Sequence, residues 1–546
     1  MSKSPLNLWV FRDGKRRVAA EQLKSTVTAA LHSPLACACD ERTLAVLLRA
    51  GELECALADE DITAAKPFAF LTDALAQAVV GERPGADFER ARATALAASV
   101  PGQVTVSTPE GFSYYALHPL AYAKVLDQLP ELSHRIFVVG IRSIGCTLSA
   151  VTAAAARERG IQAERITVRP TGHPYDRHLD FSPEQQTAIR AAVLAGADFL
   201  IVDEGPGLSG SSFLCVAEGL EQMGADRQKI TLICSRYCDP DTLCARDAGE
   251  RWRRFHLITV NPHRPAILDS ALFMGGGCWR AHSYSDESLW PASWTNLERS
   301  KYLVLSADGA SQLLKFGGLG HYGESALQIE EQIAQAGFGV RPTQAEGGFF
   351  SYPWIAGRPM QAGDLSGDVL RKLADYCAFR QKCFSRDAGD LGQLPEMVAH
   401  NLSELGIDAA IGLKLEYPVI ADGRMQPHEW ILNDRGEMLK TDSSSHGDDH
   451  FFPGPTDIAW DLAGAIVEWR MDAAQTAEFL ELYHRVSGDD PNGRIEHFIR
   501  AYAVFRWAFC RMAAGAMAGT TEQLRLEAAA ESYAAALPMA HVASGV

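Results

Sequence analysis

The stretch FLIVDEGPGLSGSSF, residues 199–213, sets two carboxylates, Asp203 and Glu204, at the end of an apolar run, and a loop of Gly, Pro and Ser follows. Gly205, Gly207 and Gly210 let backbone N–H groups turn toward one point, and Ser209, Ser211 and Ser212 add hydroxyl donors. The helix that opens there adds the positive end of its dipole, so the loop has the makings of a phosphate site. It contains no GKS or GKT and is not a Walker loop. Carboxylates beside a bound phosphate suit hydroxyls two or three bonds away, as on a ribose. The combination reads as a cradle for a ribose 5-phosphate. The plainer alternative is a Gly/Ser turn in an unrelated α/β domain, with Asp203 capping a helix.

Such a cradle needs strands to carry it. Residues 135–141 (RIFVVGI), 163–168 (AERITV), 198–204 (DFLIVDE), 229–235 (KITLICS) and 255–260 (FHLITV) are short strand-like runs. Helix-like TLSAVTAAAARERG, PEQQTAIRAAVLAGA and SSFLCVAEGLEQMG separate the first four, the last ending at Gly224 as a C-cap. The alternation predicts an α/β fold with a covered parallel sheet. Ligands of such sheets bind beyond the carboxyl ends of the strands, where Asp203 and Glu204 stand. Residues 1–100 read as mostly helical and carry no legible chemistry. Residues 261–300, with Pro, Trp, Gly and Ser, read as a linker with some structure. Residues 301–546 begin with the hairpin-like KYLVLSADGASQLLKF, then turn helical apart from a second hairpin, EWILNDRGEMLKTD. That order predicts a bilobal α+β unit, a small sheet lobe followed by a helical lobe.

With acids, loop and element order in place, residues 101–260 resemble the type I phosphoribosyltransferase family. Its signature is an apolar strand, two acids, a short spacer and a Thr/Ser-Gly-x-Thr/Ser loop. Asp203 and Glu204 match the acids and Ser209-Gly210-Ser211-Ser212 the loop, while the spacer GPGL is one residue longer than usual. VVGIRSIG, residues 138–145, stands at the family's first strand and pyrophosphate loop, with Gly140, Ile141, Arg142 and Ser143 at the turn. VRPTGHPYDRH, residues 168–178, falls at the family's lid, where Arg169, His173, Tyr175 and Arg177 are candidates to cover pyrophosphate. The resemblance implies reaction at C1 of a ribose 5-phosphate through an oxocarbenium-like state. Mg²⁺ and positive side chains, Arg142 among them, stabilise the departing pyrophosphate, while Asp203 and Glu204 hold the ribose. The acceptor is not legible. PEGFSYYALHPLAY, residues 109–122, suits either an acceptor ring stacked on Phe112, Tyr114 and Tyr115 or plain core packing.

Residues 300–515 resemble the aminoglycoside/choline kinase-like family in the order of their pieces. These are Lys315 on a strand, Glu330 on a helix, a hinge before Gly-Arg-Pro, the late hairpin and the closing PTDIAWDLAGAI. The resemblance implies that Lys315 contacts ATP phosphates and Glu330 orients it, that Asp442 and Glu429 hold Mg²⁺, and that Asp461 braces the catalytic loop. That loop departs from the family's H-G-D-x-x-x-x-N. Arg424 stands at the catalytic Asp and Glu429 at the metal-binding Asn, and arginine cannot accept a proton. Asp422 is the nearest replacement. HGDDH, residues 446–450, has the letters but follows Asp442, in the wrong order. GGLGHYG spaces Gly318, Gly320 and Gly323 as in a dinucleotide fingerprint, yet the βα repeats of such a fold do not follow. In the kinase-like reading this loop helps hold phosphate.

The chain's 546 residues allow several domains, and a net charge of -17 without long runs argues against a nucleic-acid face or an anionic membrane surface. No apolar run approaches the ~20 residues of a membrane span. The start MSKSPLNLWVFRDGKRR lacks a signal-peptide core, so a cytoplasmic protein with reduced thiols is expected. Neither the Cys37–Cys39 pair nor Cys234, Cys238 and Cys244 has a second pair at zinc-site spacing.

Three functions follow. The first is a transferase: a phosphoribosyltransferase-type enzyme fused to an ATP-binding kinase-like domain, in nucleotide or specialised small-molecule metabolism. The second is a regulatory protein that binds ribose phosphate and ATP through a pseudokinase. The third is a small-molecule kinase with an N-terminal recognition module. Mg²⁺ and ATP are the expected cofactor and ligand. Phosphoribosyl pyrophosphate or a nucleotide, an acceptor and a second copy of the chain as a homodimer are the expected partners.

Overall fold

The computed structural model describes residues 7–32, 41–81, 87–129, 132–305, 311–387, 390–409, 411–444 and 449–537. Cys37, Cys39 and His446 to Asp448 lie outside the described residues.

Five strands in the first half pair in the order Gln162–Val168, Arg135–Ile141, Asp198–Val202, Ile230–Cys234, His256–Thr259. Every pairing is parallel. The inner three are continuous apolar runs because both faces of the sheet are covered. The pleat sorts their side chains: Ile136 and Val138 join one core, Phe137, Val139 and Ile141 the other. The first face carries the helix Gly145–Glu158, which is itself covered by Glu41–Glu60 and Ile62–Val80. The second face carries Pro183–Leu194 and Ser211–Gln222.

The helices Glu41–Glu60 and Ile62–Val80 are therefore an outer layer of this unit. Strand Arg16–Ala19 pairs with Gln103–Val106. Arg165, only 4% exposed, reaches from the edge strand to Glu54 at 2.8 Å and Asp73 at 2.5 Å, one on each covering helix.

The second half builds an antiparallel sheet in the order Leu272–Phe273, Lys301–Leu305, Ser311–Phe316, Phe349–Pro353, Thr343–Gln344, with the helix His321–Gln335 connecting its strands. A helical lobe follows, with the hairpin Trp430–Asn433 and Met438–Lys440 at its edge. The segment 261–300 is packed rather than loose. Its strand 272–273 joins the sheet, and buried Arg280 pairs with Glu522 through two contacts of 2.9 Å. A strap at residues 7–13 crosses to the helical lobe. Asn401 bonds Trp9 in both directions, Val10 is fully buried, and Arg12 N–H donates to His450 C=O at 3.0 Å. No helix among the described residues is long and apolar enough to cross a membrane.

Arg165→Leu should leave Glu54 buried without its counter-charge. The expected loss is about 3–5 kcal/mol, read from chemical denaturation. A change below about 1 kcal/mol would mean that the ion pair does not hold the outer layer.

Candidate functional site

Strand Asp198–Val202 delivers Asp203 and Glu204 to the carboxyl edge of the parallel sheet. Asp203 Oδ1 accepts from Glu204 N–H at 2.8 Å, and Glu204 Oε2 accepts from Gly111 N–H at 2.8 Å. Burial pushes Asp203 well above the usual carboxylate range. Burial, with Glu110 adding to it, pushes Glu204 up to about 7. Helix Ser211–Gln222 opens after Gly210, whose φ of 72° and close approach to Leu243 and Trp252 leave no room for a side chain.

The serine hydroxyls of this loop are engaged from above. Ser209 and Ser211 both donate to Pro174 C=O, at 2.7 and 2.6 Å. Pro174 is at the tip of a small antiparallel hairpin, residues 171–178, which carries His173 and Tyr175 exposed and Arg177 half-buried, donating to Gly172 C=O at 2.6 Å. Gly205 and Gly207 lie in the partly open stretch between acids and serines, and Ser212 is half-buried at the helix start.

Across the edge, the end of strand Arg135–Ile141 and the turn after it run through Gly140, Ile141, Arg142 and Ser143, with a cis Arg142–Ser143 peptide. Gly140 packs so tightly on Gly145 that neither admits a Cβ. Arg142 and Arg169 both bind Asp59, on the helix Glu41–Glu60, with contacts of 2.9 and 2.5 Å, and Arg169 also donates to Arg142 C=O. Arg169 thus lies at the foot of the hairpin, clamped, rather than on a lid. Sequence reading missed Asp59, Glu110 and Arg236, which come from remote elements. Arg236 is exposed beside Glu204, with its guanidinium 5.9 Å from the Tyr115 ring.

A second site lies between the sheet lobe and the helical lobe, a cleft of about 230 Å³. Leu313, Val340, Tyr352, Ile355 and Ile431 line its apolar part, and Trp279, Trp294, Phe451 and Phe509 another part. Lys315, on the strand Ser311–Phe316, pairs with Asp442, and Lys301 is 3.9 Å from the same carboxylate. Burial holds the Lys315 ammonium well below the usual lysine range. Glu330 accepts from the hydroxyls of Ser443 and Ser444 at 2.9 and 2.7 Å, so it fixes the backbone just after Asp442. The hairpin register pairs Trp430 with Lys440, and Thr441 N–H donates to Glu429 C=O at 2.8 Å. Glu429 and Asp442 therefore stand at one hairpin end, and both line the cleft with Arg424 and His428.

Two expectations are corrected. Asp422 does not replace the missing catalytic Asp. It is fully buried, accepts from Tyr376 O–H and Arg424 N–H, and lies 3.6 Å from Arg380 and 3.5 Å from Lys440. Asp461 holds the same loop from below, accepting from the N–H groups of Asp422 and Gly423 at 2.7 and 2.9 Å. The glycines of GGLGHYG do not line the cleft. Gly317 N–H bonds Gly348 C=O, Leu319 N–H bonds Phe112 C=O at 2.8 Å, and a Cβ on Gly320 would press on Leu48 and Ala45. Their spacing serves close packing between the two halves. Phe112 is buried in that junction, whereas Tyr114 faces the cleft.

No family model matches the chain, and no curated protein is similar to it. Among solved structures, the chain is similar to choline kinase LicA from Streptococcus pneumoniae, with 13% identity and a TM-score of 0.31 over 43% of this chain and 90% of that one. It is similar to macrolide 2'-phosphotransferase MphH from Brachybacterium faecium, with 14% identity and a TM-score of 0.30 over 47% and 95% of the two chains. It is also similar to spectinomycin phosphotransferase APH(9)-Ia in complex with ADP and spectinomycin, with 13% identity and a TM-score of 0.31 over 48% and 88%. At TM-scores of about 0.3 none of these likenesses carries weight for the fold or the function of this chain.

Proposed function

We propose that the chain is a small-molecule phosphotransferase that binds Mg·ATP in the inter-lobe cleft, with an N-terminal unit that recognises a ribose 5-phosphate. The observation that carries this reading is the pairing of buried Lys315 with Asp442 at a cleft with an apolar lining. A lysine so poorly solvated gains most from a polyanion. Leu313, Val340 and Ile431 offer faces for a planar base. Asp442 and Glu429 supply two carboxylates to the same cleft, the hard donors that Mg²⁺ takes when phosphates complete its shell. The ion, when bound, would neutralise charge on the phosphates.

Phosphoryl transfer depends mainly on positioning and charge, with little covalent work for the protein. Lys315 would bind phosphate oxygens, and the walls around Trp279 and Trp294 would exclude water from the acceptor. Arg424 cannot take the acceptor's proton and would add positive charge; ADP would leave as the new P–O bond forms, and the hydroxyl proton would pass to an oxygen of the transferred phosphoryl group.

A second reading gives the parallel-sheet unit chemistry of its own, phosphoribosyl transfer from phosphoribosyl pyrophosphate or a nucleotide. The strand order, the acids at the sheet edge and the hairpin over the serine loop favour it. Asp203 and Glu204 would hold the ribose hydroxyls, and Arg142 and Arg169 the leaving group once freed from Asp59. Pyrophosphate release from phosphoribosyl pyrophosphate over a panel of acceptors tests this reading, and ATP consumption over a panel of small hydroxyl compounds tests the first. Silence in both assays with both ligands bound would leave a regulatory protein.

Lys315→Met should weaken Mg·ATP binding about 10- to 100-fold in calorimetry, the weight of one charged hydrogen bond. Unchanged affinity would remove the cleft from the reading. Glu204 gives a pH prediction. Its carboxyl ionises as pH rises through about 7, and the ionised form, acceptor-only and charged, holds ribose hydroxyls more strongly than the neutral acid. Ribose 5-phosphate should therefore bind more tightly from pH 6 to 8, beyond any change that Glu204→Gln also shows. Parallel profiles for the two proteins would show that Glu204 does not contact the ligand.

A further inference from the structure

The turn Glu110–Ser113, with Tyr114 and Tyr115 after it, touches both sites. It is held by three tethers. The first leads to the acids: Gly111 N–H, one of the orphan donors of a first helical turn, is capped by Glu204 Oε2 at 2.8 Å. The second leads to the sheet lobe. Phe112 C=O accepts from Leu319 N–H at 2.8 Å, and Ser113 C=O accepts from Arg299, whose guanidinium lies 5.0 Å from the Tyr114 ring. The third leads to the helical lobe. Tyr115 Oη is 3.2 Å from His450 Nε2, and His450 stacks on Phe11 of the strap at 5.5 Å. Tyr114, Arg299 and His450 all line the cleft.

We propose that this turn couples the two sites, so that a ribose phosphate held by Asp203 and Glu204 tightens nucleotide binding in the cleft, and the nucleotide tightens ribose phosphate binding in return. The proposal rests on the reading of both sites given above. Ribose hydroxyls that donate to Glu204 fix its carboxylate in the ionised form, and a charged acceptor holds Gly111 N–H more strongly than a neutral one. The turn is then fixed, and with it Tyr114 and His450, which wall the cleft, the latter held from behind by the Tyr115 hydroxyl. A ligand entering an already ordered cleft loses less freedom.

The test uses the full chain in isothermal titration calorimetry. The dissociation constant of Mg·ADP is measured alone and with saturating ribose 5-phosphate, then that of ribose 5-phosphate with and without Mg·ADP. The expected result is a tightening of at least about fivefold, equal in the two directions because linkage is reciprocal. Tyr115→Phe removes only the hydroxyl that faces His450. It should bring the coupling below about twofold while each ligand alone binds as it does to the native chain. Binding of both ligands with constants that ignore each other overturns the coupling and leaves the functional reading intact, as does full coupling retained in Tyr115→Phe. Failure of either ligand to bind overturns the functional reading and the coupling together.

Discussion

Charge taken out of water must meet opposite charge, and in this chain the partners come from far along the sequence. Arg165 is the clearest case. With Glu54 and Asp73 around its guanidinium, it turns two separate helices into a cover for the parallel sheet. Arg494 does the same in the helical lobe, held by Asp457 at 3.0 Å and Asp489 at 2.5 Å. Arg280 and Glu522 join the middle segment to a late helix. Breaking such a pair leaves an uncompensated ion in a poor solvent. The architecture is thus specified by where buried charges are neutralised as much as by the apolar runs.

The two sites use the same desolvation with opposite signs. Beyond the parallel sheet it raises Asp203 and Glu204, favouring their neutral forms. In the cleft it disfavours the ammonium of Lys315. Neither group stands alone: Gly111 N–H meets Glu204, and Asp442 meets Lys315.

The parallel strands were legible because both their faces are buried, and a strand buried on both faces reads as an unbroken apolar run. Asp203, Glu204 and the Gly/Ser loop were legible because they are contiguous. The clamp at Asp59 was not: it unites residues 59, 142 and 169, and no local pattern announces it. The serine loop's cover by Pro174 was equally hidden, since a backbone carbonyl has no letter of its own. GGLGHYG misled for a physical reason. Glycine marks any close approach of backbones, and here the approach is between the two halves of the chain rather than to a phosphate. Asp422 misled because proximity in sequence does not reveal which way a loop residue points.

The strap at residues 7–13 has a consequence for the order of events during synthesis. Its partners, Asn401 and the stretch 450–452, are synthesised long after the strap itself. At ~5–20 residues per second the strap waits on the order of 20–90 s for a surface to dock on. Through that interval the parallel-sheet unit can close around its own core, while Val10 has none of the burial it finally reaches. Docking of the strap is then among the last events of assembly, and it seats His450 only once both halves stand.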